Sequence, residues 1–292
     1  MAGAALRRRE GGVAPERECG GRDTHATVVC GMIGVFDSGI GGLSVLAAIA
    51  RALPRADLIY LADTAHLPYG DKDDAYIRRR VLRIGRHLVE RGCGVIVVAC
   101  NTATAAAVAA FRKAFPDVAV VGVEPGVKPA AAMSRSGQIA VLATTSTARS
   151  RRLAQLIRRH AGEVQVRIEA CPGWATRVET LRLDEPDFVE EARRHLAPLL
   201  AAGVDQIVLG CTHYAFLCPV LEPIVGSQAA LVDVADAVAR QCVRLAGEAA
   251  QGRSELSLLA TADPARLQAA LPALGLTWLG TRLSSAPCLV VA

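Results

Sequence analysis

Residues 87–100 read HLVERGCGVIVVAC, and residues 198–211 read PLLAAGVDQIVLGC. Laid over each other without a gap, they align Leu88 with Leu199, Gly92 with Gly203, Ile96 with Ile207, Val97 with Val208 and Cys100 with Cys211. Each copy reads as a helix end, a glycine stop, an apolar run of strand length and a cysteine. A short β-branched run bounded by glycine is the pattern of a strand covered on both faces. Ligands of open α/β sheets sit just beyond the carboxyl ends of such strands, which is where Cys100 and Cys211 fall. Two matching units predict two related halves. An approximate two-fold relation between them would bring the thiols to opposite sides of one cleft.

A second pair of anchors supports duplication: MIGVF at 32–36 and QIAVLA at 138–143 stand almost as far apart as the two cysteines. Further strands are expected at 58–61, 118–123, 164–168 and 231–233. Helices are expected from about Leu43 and over 73–91, 102–114, 147–161, 187–202 and 234–249, with Asn101 or Thr102 capping the helix at 102. Residues 254–283 read as a strand-like segment and a short helix. Such alternation predicts an α/β protein of two similar domains. Each would be a mainly parallel sheet flanked by helices, the two related by pseudo-two-fold symmetry with the active site between them. The first domain is expected to take 32–124 plus about 231–283, and the second 125–230. Residues 1–31 are rich in Arg, Glu and Gly, without periodicity or an apolar h-region. They are expected to form a disordered extension, not a secretory signal, with Met32 an alternative start.

The chain has 292 residues, of which 52% are hydrophobic and 21% charged, enough for one large or two smaller cores. No apolar run is long enough to suggest a membrane span. A net charge of +5 with only 4% aromatics gives little support for nucleic-acid binding. Nine cysteines without framework spacing fit a reducing cytoplasm better than a disulfide scaffold. There is no CxxC pair, and the six histidines make no HxH or HxxxH pattern, so no metal site is expected.

Asp37-Ser38-Gly39-Ile40-Gly41-Gly42 follows the first strand. It is neither a dinucleotide fingerprint, since Ser44 stands where the third glycine would, nor a P-loop. A tight strand-to-helix turn is one reading. A polar site whose glycines admit a ligand to the backbone is the other, and Asp37 at the strand end favours it. Tyr69-Gly70 lies in a Pro/Gly-framed loop beyond the second strand, as suited to binding as to packing. Cys30, Cys93, Cys171, Cys218, Cys242 and Cys288 read as small buried hydrophobes. Cys100 and Cys211 differ because they recur at one place in a repeated unit, followed by Asn101-Thr102 and Thr212-His213. A redox pair and a single cysteine nucleophile are both conceivable. Proton transfer at a stereocentre uses two thiols symmetrically: a thiolate removes a proton from one face, and a thiol returns one to the other. Asp37 and His213 would assist, one beside each thiol. Ser38, Asn101, Thr102 and Thr212 would hold the charge that develops on a substrate carboxylate. The scheme requires no pyridoxal or other cofactor, and of the three lysines only Lys128 stands near a strand end.

VFDSGIGGLSVL (35–46), LADTAHLPYGDK (61–72), VVACNTATA (97–105), GVEPGVKPA (122–130), LATTSTARS (142–150), ACP (170–172) and VLGCTHYAFL (208–217) together resemble the glutamate racemases of the cofactor-independent aspartate/glutamate racemase superfamily. The resemblance runs from about 32 to 275. It implies that Cys100 and Cys211 are the acid/base thiols, and that Asp37-Ser38, Tyr69-Gly70, Asn101-Thr102 and Thr212-His213 bind glutamate. It implies further carboxylate contacts from Thr144 and Thr147, and a third ionisable group at Glu179 near the second thiol. CPGWATRVE is the loosest part of the match, and Ala62 stands where the family often has glycine. A cytoplasmic bacterial enzyme supplying D-glutamate for peptidoglycan is implied. Its partner is a small-molecule substrate, with no nucleic acid and no membrane, and a homodimer is an assembly it allows. Racemisation of aspartate is the near alternative, and a non-catalytic binding or inhibitory module the distant one.

Overall fold

Both repeated stretches form the expected unit of helix, glycine, strand and cysteine in this computed structural model, which describes residues 31–292. Gly92 and Gly203 take φ of 86° and 78°. This left-handed turn costs a residue with a Cβ about 1–2 kcal/mol, so glycine at both copies is what lets each helix stop and reverse into its strand.

In chain order the first half runs β1 (Met32–Asp37), α1 (Leu43–Ala52), β2 (Asp57–Ala62), α2 (Asp74–Glu90), β3 (Cys93–Val98), α3 (Asn101–Ala114) and β4 (Ala119–Gly122). The second runs α4 (Val127–Met133), β5 (Gln138–Ala143), α5 (Thr145–Ala148), α6 (Arg151–His160), β6 (Gln165–Ala170), α7 (Trp174–Glu179), α8 (Pro186–Ala201), β7 (Gln206–Leu209), α9 (Cys218–Val225) and β8 (Ala230–Val232). The chain then adds α10 (Ala235–Ala246), β9 (Leu256–Ala260), α11 (Pro264–Ala273) and β10 (Cys288–Leu289).

The strand order is β10-β9-β2-β1-β3-β4 in one sheet and β6-β5-β7-β8 in the other, with every pairing parallel. The duplication is therefore topological as well as sequential. Each half places its first strand between its second and third, and its fourth at the edge. In both sheets the order reverses between the first and third strands, so a crevice opens beyond their carboxyl ends. Those ends carry Asp37 and Cys100 in one half, and Thr144 and Cys211 in the other. One continuous apolar core includes Ile33, Leu46 and Tyr60 from the first half and Leu142, Trp174 and Tyr214 from the second. The two crevices are thus held face to face by packing.

Four details depart from the sequence reading. The helix expected over 147–161 is broken at Arg149–Ser150. Thr144 and Ser150 each accept a backbone N–H three residues on, so two hydroxyl caps start two helices. Helix α3 is capped by Cys100, whose sulfur accepts the Ala103 N–H at 3.4 Å, and not by Asn101 or Thr102. Strand β8 pairs with β7 as far as Val232, so a boundary at 230/231 runs through a strand of the second sheet. Beyond 283 a short edge strand, β10, pairs with β9. The extension expected at 1–31 lies, apart from Gly31, outside the described residues, as does Cys30.

Candidate active site

A cavity of about 340 Å³ lies where the two sets of strand ends face each other. Ser38, Tyr69, Gly70, Cys100, Asn101, Thr102, Thr144, Cys211, Thr212 and His213 all line it. The two thiols are 6% and 8% exposed, so each is enclosed yet reaches the cavity. Two of the sequence-named residues stand behind this wall. Asp37 is wholly buried and accepts from the backbone N–H groups of Ser38 (2.7 Å) and Gly42 (2.5 Å). Thr147 is buried behind Thr144 and joins Thr102 and Thr144 in a triangle of hydroxyls 3.1–3.3 Å apart that spans the two halves.

The first thiol sits at the start of a helix. Cys100 Sγ faces the Ala103 N–H and lies 3.9 Å from Ser38 Oγ. Burial, and then the Asp37 carboxylate, push its pKa well above the ordinary thiol value, against the opposing pull of the Ala103 N–H. Asp37 reaches Cys100 through Ser38, not by direct contact: Ser38 Oγ is 3.3 Å from Asp37 Oδ1. Burial also raises the Asp37 carboxyl pKa, although the nearby His213 and two backbone N–H groups oppose it.

The second thiol has a different partner. His213 Nδ1 lies 3.6 Å from Cys211 Sγ, and Nε2 lies 2.6 Å from Glu179 Oε1. Burial alone would favour the neutral ring. The hydrogen bonds to Cys211 and Glu179 outweigh it, so the His213 pKa stands well above its ordinary value. Burial would likewise raise Glu179, but His213 and the Ile40 N–H, 2.8 Å away, hold its pKa below the usual carboxylate range. The result is a buried row of carboxylate, imidazole and thiol aimed into the cavity.

The glycine-rich loop serves this row. A Cβ on Gly39 would fall on the Glu179 carboxylate, and one on Gly41 on the His213 imidazole. The glycines of the first half therefore admit two side chains of the second half, where the sequence offered a ligand or a bare turn. Tyr60 fixes the loop from below, donating to the Gly39 carbonyl at 2.6 Å.

Asn101 is 5% exposed, and neither its Oδ1 nor its Nδ2 has a hydrogen-bond partner among the described residues. A buried amide in that state costs about 1–3 kcal/mol, and this one stands in the cavity wall. Tyr69 lines the cavity, and its hydroxyl donates to Asp63 at 2.5 Å. Asp63 also takes two bonds from Arg80, at 3.0 and 2.8 Å. Cys171, read as a buried hydrophobe, is 1% exposed and forms part of the wall beside Pro172. The sequence reading gave no role to Asp63, Tyr60 or Arg266, and it took Arg80, with Arg78 and Arg79, for solvated helix face, whereas Arg80 is 8% exposed and paired with the buried Asp63. The first two sit in β2 and its exit, where LADT reads simply as the end of an apolar strand. Arg80 is the third of three consecutive arginines in α2, and the helical turn carries it inward while Arg78 and Arg79 stay exposed. Arg266 comes from a segment with no motif.

Among the described residues no cluster of three or more His, Cys, Asp or Glu is arranged to hold a metal ion, and no helix is long and apolar enough to cross a membrane. A family profile described as Asp/Glu/hydantoin racemase matches residues 33–242. The chain is 46% identical over 246 residues to the glutamate racemase of Ectopseudomonas mendocina (strain ymp), covering 83% of this chain and 94% of that one. Its fold is similar to that of Escherichia coli glutamate racemase, solved in complex with L-glutamate and the activator UDP-MurNAc-Ala. There the TM-score is 0.79 at 32% identity, covering 89% of this chain and 99% of that one. For Thermus thermophilus glutamate racemase in complex with β-chloro-D-alanine, the TM-score is 0.73 at 34% identity, with 89% and 97% covered.

Proposed function

The chain belongs to the Asp/Glu/hydantoin racemase family, and from that premise we propose that it interconverts L- and D-glutamate by proton transfer at Cα between Cys100 and Cys211. The observation that carries this reading is that two thiols, from equivalent strand ends of two equivalent sheets, line one cavity. One sulfur, as thiolate, takes the Cα proton from one face, leaving a planar carbanion stabilised by delocalisation into the α-carboxylate. The thiol on the other side then gives its proton to the opposite face. Configuration inverts, and the cysteines have exchanged protonation states. The reverse reaction uses the same path in the other order.

Each side of the cavity supports its thiol differently. At Cys211 the imidazole of His213, held by Glu179, stabilises negative charge on sulfur and can carry a proton to or from it. At Cys100 the amino end of α3 supplies N–H groups, while burial and Asp37 favour the thiol. A substrate ammonium group entering beside Ser38 would offset the Asp37 charge and release that restraint. The unpaired Asn101 amide and the hydroxyls of Thr102, Thr144 and Thr212 are the groups to hold the two carboxylates. No cofactor takes part. The D-glutamate formed would supply peptidoglycan synthesis in the cytoplasm, the role that the sequence resemblance implies.

The test is incorporation of solvent deuterium at Cα by wild type, Cys100→Ser and Cys211→Ser, with L- and D-glutamate and with both aspartate enantiomers. Wild type is expected to racemise glutamate. Each variant is expected to lose racemisation, with deuterium exchange impaired unequally for the two enantiomers. Full activity in either variant would end the two-thiol reading, and faster conversion of aspartate would change the substrate.

A further inference from the structure

Glu179 is the point on which both halves of the molecule converge. Its Oε1 accepts from His213 Nε2 in its own half and from the Ile40 N–H in the other. It is the last residue of α7, so its backbone carbonyl is one of those a helix leaves unpaired. That carbonyl takes both Nε, at 3.1 Å, and Nη2 of Arg266. Arg266 stands in the first turn of α11, in the segment that rejoins the first sheet through β9, and it also lines the cavity.

The start of α11 is itself tied to the opposite wall. Thr261 Oγ1 donates to Asp63 Oδ1 at 2.9 Å and accepts the Ala65 N–H at 3.0 Å. The Thr64 hydroxyl bonds the Ala262 carbonyl and accepts the Ala262 N–H at 2.9 Å. Asp63, fixed by Arg80, holds the Tyr69 hydroxyl. Hydrogen bonds thus link Tyr69 on one wall through Asp63 to Thr261, the short stretch 261–266 leads on to Arg266, and Arg266 bonds Glu179, which holds His213 on the other wall.

We propose that Arg266 is a positioning residue: it clamps the end of α7 from the returning segment, so that Glu179 holds the His213 ring in line with Cys211. It acts through Glu179 and takes no proton. The kinetic half of this proposal rests on the racemase reading; the geometric half does not. The groups facing the Glu179–His213 pair are Cys211 from its own half, Asp37 and Tyr60 from the first half, and Arg266 from α11. Loss of the guanidinium leaves the Glu179 carbonyl without either donor and lets the end of α7 drift. A displacement of about 1 Å in such a group can cost about 100-fold in rate.

The experiment uses the full chain with Arg266→Met, which keeps an unbranched apolar stem, and Arg266→Lys, which keeps the charge but not the fork. Racemisation of glutamate is followed in both directions, and the His213 ring is titrated by NMR, assigned against His213→Asn. For Arg266→Met the expectation is a fall of at least about tenfold in kcat/KM, carried by kcat, together with a fall in the His213 pKa toward its ordinary value. Arg266→Lys should recover part of both, and it carries the same test if the methionine variant does not fold. Wild-type kcat with an unchanged titration would overturn the proposal. So would a loss confined to KM with the titration unchanged, which would make Arg266 a substrate contact, or lowered thermal stability alone, which would make it a brace. A rise in the His213 pKa would also overturn it, because only the repulsion between two cations would then have been removed. If wild type racemises no acidic amino acid, the proposed function fails, and the titration still tests the clamp.

Discussion

Replacing Gly41 with alanine isolates the role of the glycine loop. The added methyl would fall on the His213 ring, closest to Nδ1, the atom that faces Cys211. Carbon and nitrogen pack comfortably at about 3.5–4 Å, so ring or loop must move by about 1 Å. The loop is poorly free to do so. Gly42 N–H is bound to Asp37 at 2.5 Å, and the Gly39 carbonyl to Tyr60 at 2.6 Å. The ring therefore yields and loses its line to the sulfur. A shift of that size corresponds to about 100-fold in kcat/KM, or about 2.7 kcal/mol of transition-state stabilisation. Overpacking of the fold should cost about 1–3 kcal/mol. Interconversion of enantiomers has an equilibrium constant of one, so kcat/KM must fall equally in both directions. Decay of the circular dichroism of each glutamate enantiomer measures this, and urea melts measure the folded fraction. Gly137→Ala is the control: its φ of 70° strains an alanine, but open space surrounds it at the start of β5, away from the cavity. It should lose stability and keep activity. A folded Gly41→Ala variant with wild-type kcat/KM would refute the reasoning, as would equal losses in the two variants.

That loop also shows where reading the sequence stopped. The duplicated strand–cysteine unit was legible because a strand buried on both faces must be apolar along its whole length, and because Gly92 and Gly203 must both turn left-handed. From that pattern came the parallel sheets, the paired halves and the position of both thiols at strand ends. The Asp-Ser-Gly-Ile-Gly-Gly run was recognisable as a place of close approach. What approaches it was not, since Glu179 and His213 arrive from the far half, and sequence spacing carries no information about that distance. The same limit hid the clamp. Arg266 and Asp63 matter through partners as far as 87 and 198 residues away along the chain, Glu179 for the one and Thr261 for the other. Local pattern reports local geometry, and it reports the site only where one strand end or one turn builds it. Cys100 is an instructive intermediate case. A helix start after β3 was evident, yet the cap is the thiol itself, so the same sulfur that lines the cavity also starts the helix.

The remaining predictions concern buried polar groups. Arg80→Met strips Asp63 of a bidentate partner in a place with almost no solvent. Stability should fall by about 3–5 kcal/mol in urea melts, and a loss below about 1 kcal/mol would refute the hub. Asn101→Ala removes an amide that pairs with nothing among the described residues. Stability should stay level or rise while kcat/KM drops by at least about tenfold; a destabilised but fully active variant would contradict a ligand-binding role. The Glu179–His213 pair sets a pH window for stability. Glu179 titrates below its ordinary value of 4.5 in the fold, so its contribution is present above 4.5 and is lost as pH falls through the lower, folded value. His213 titrates above its ordinary 6.5, so its contribution is complete below 6.5 and is lost as pH rises through the higher, folded value. Both contributions coincide between pH 4.5 and 6.5. Asp37, pushed upward chiefly by burial, works against stability as it ionises; the burial acts alike in wild type and Glu179→Gln, while the smaller contribution of the Glu179 charge to that shift is lost in the variant. The stability advantage of wild type over Glu179→Gln, measured by urea midpoints from acid to alkaline pH, should therefore be greatest inside that window and shrink on both sides. An advantage that keeps growing as the solution turns alkaline would mean that Glu179 stabilises the fold without a charged His213.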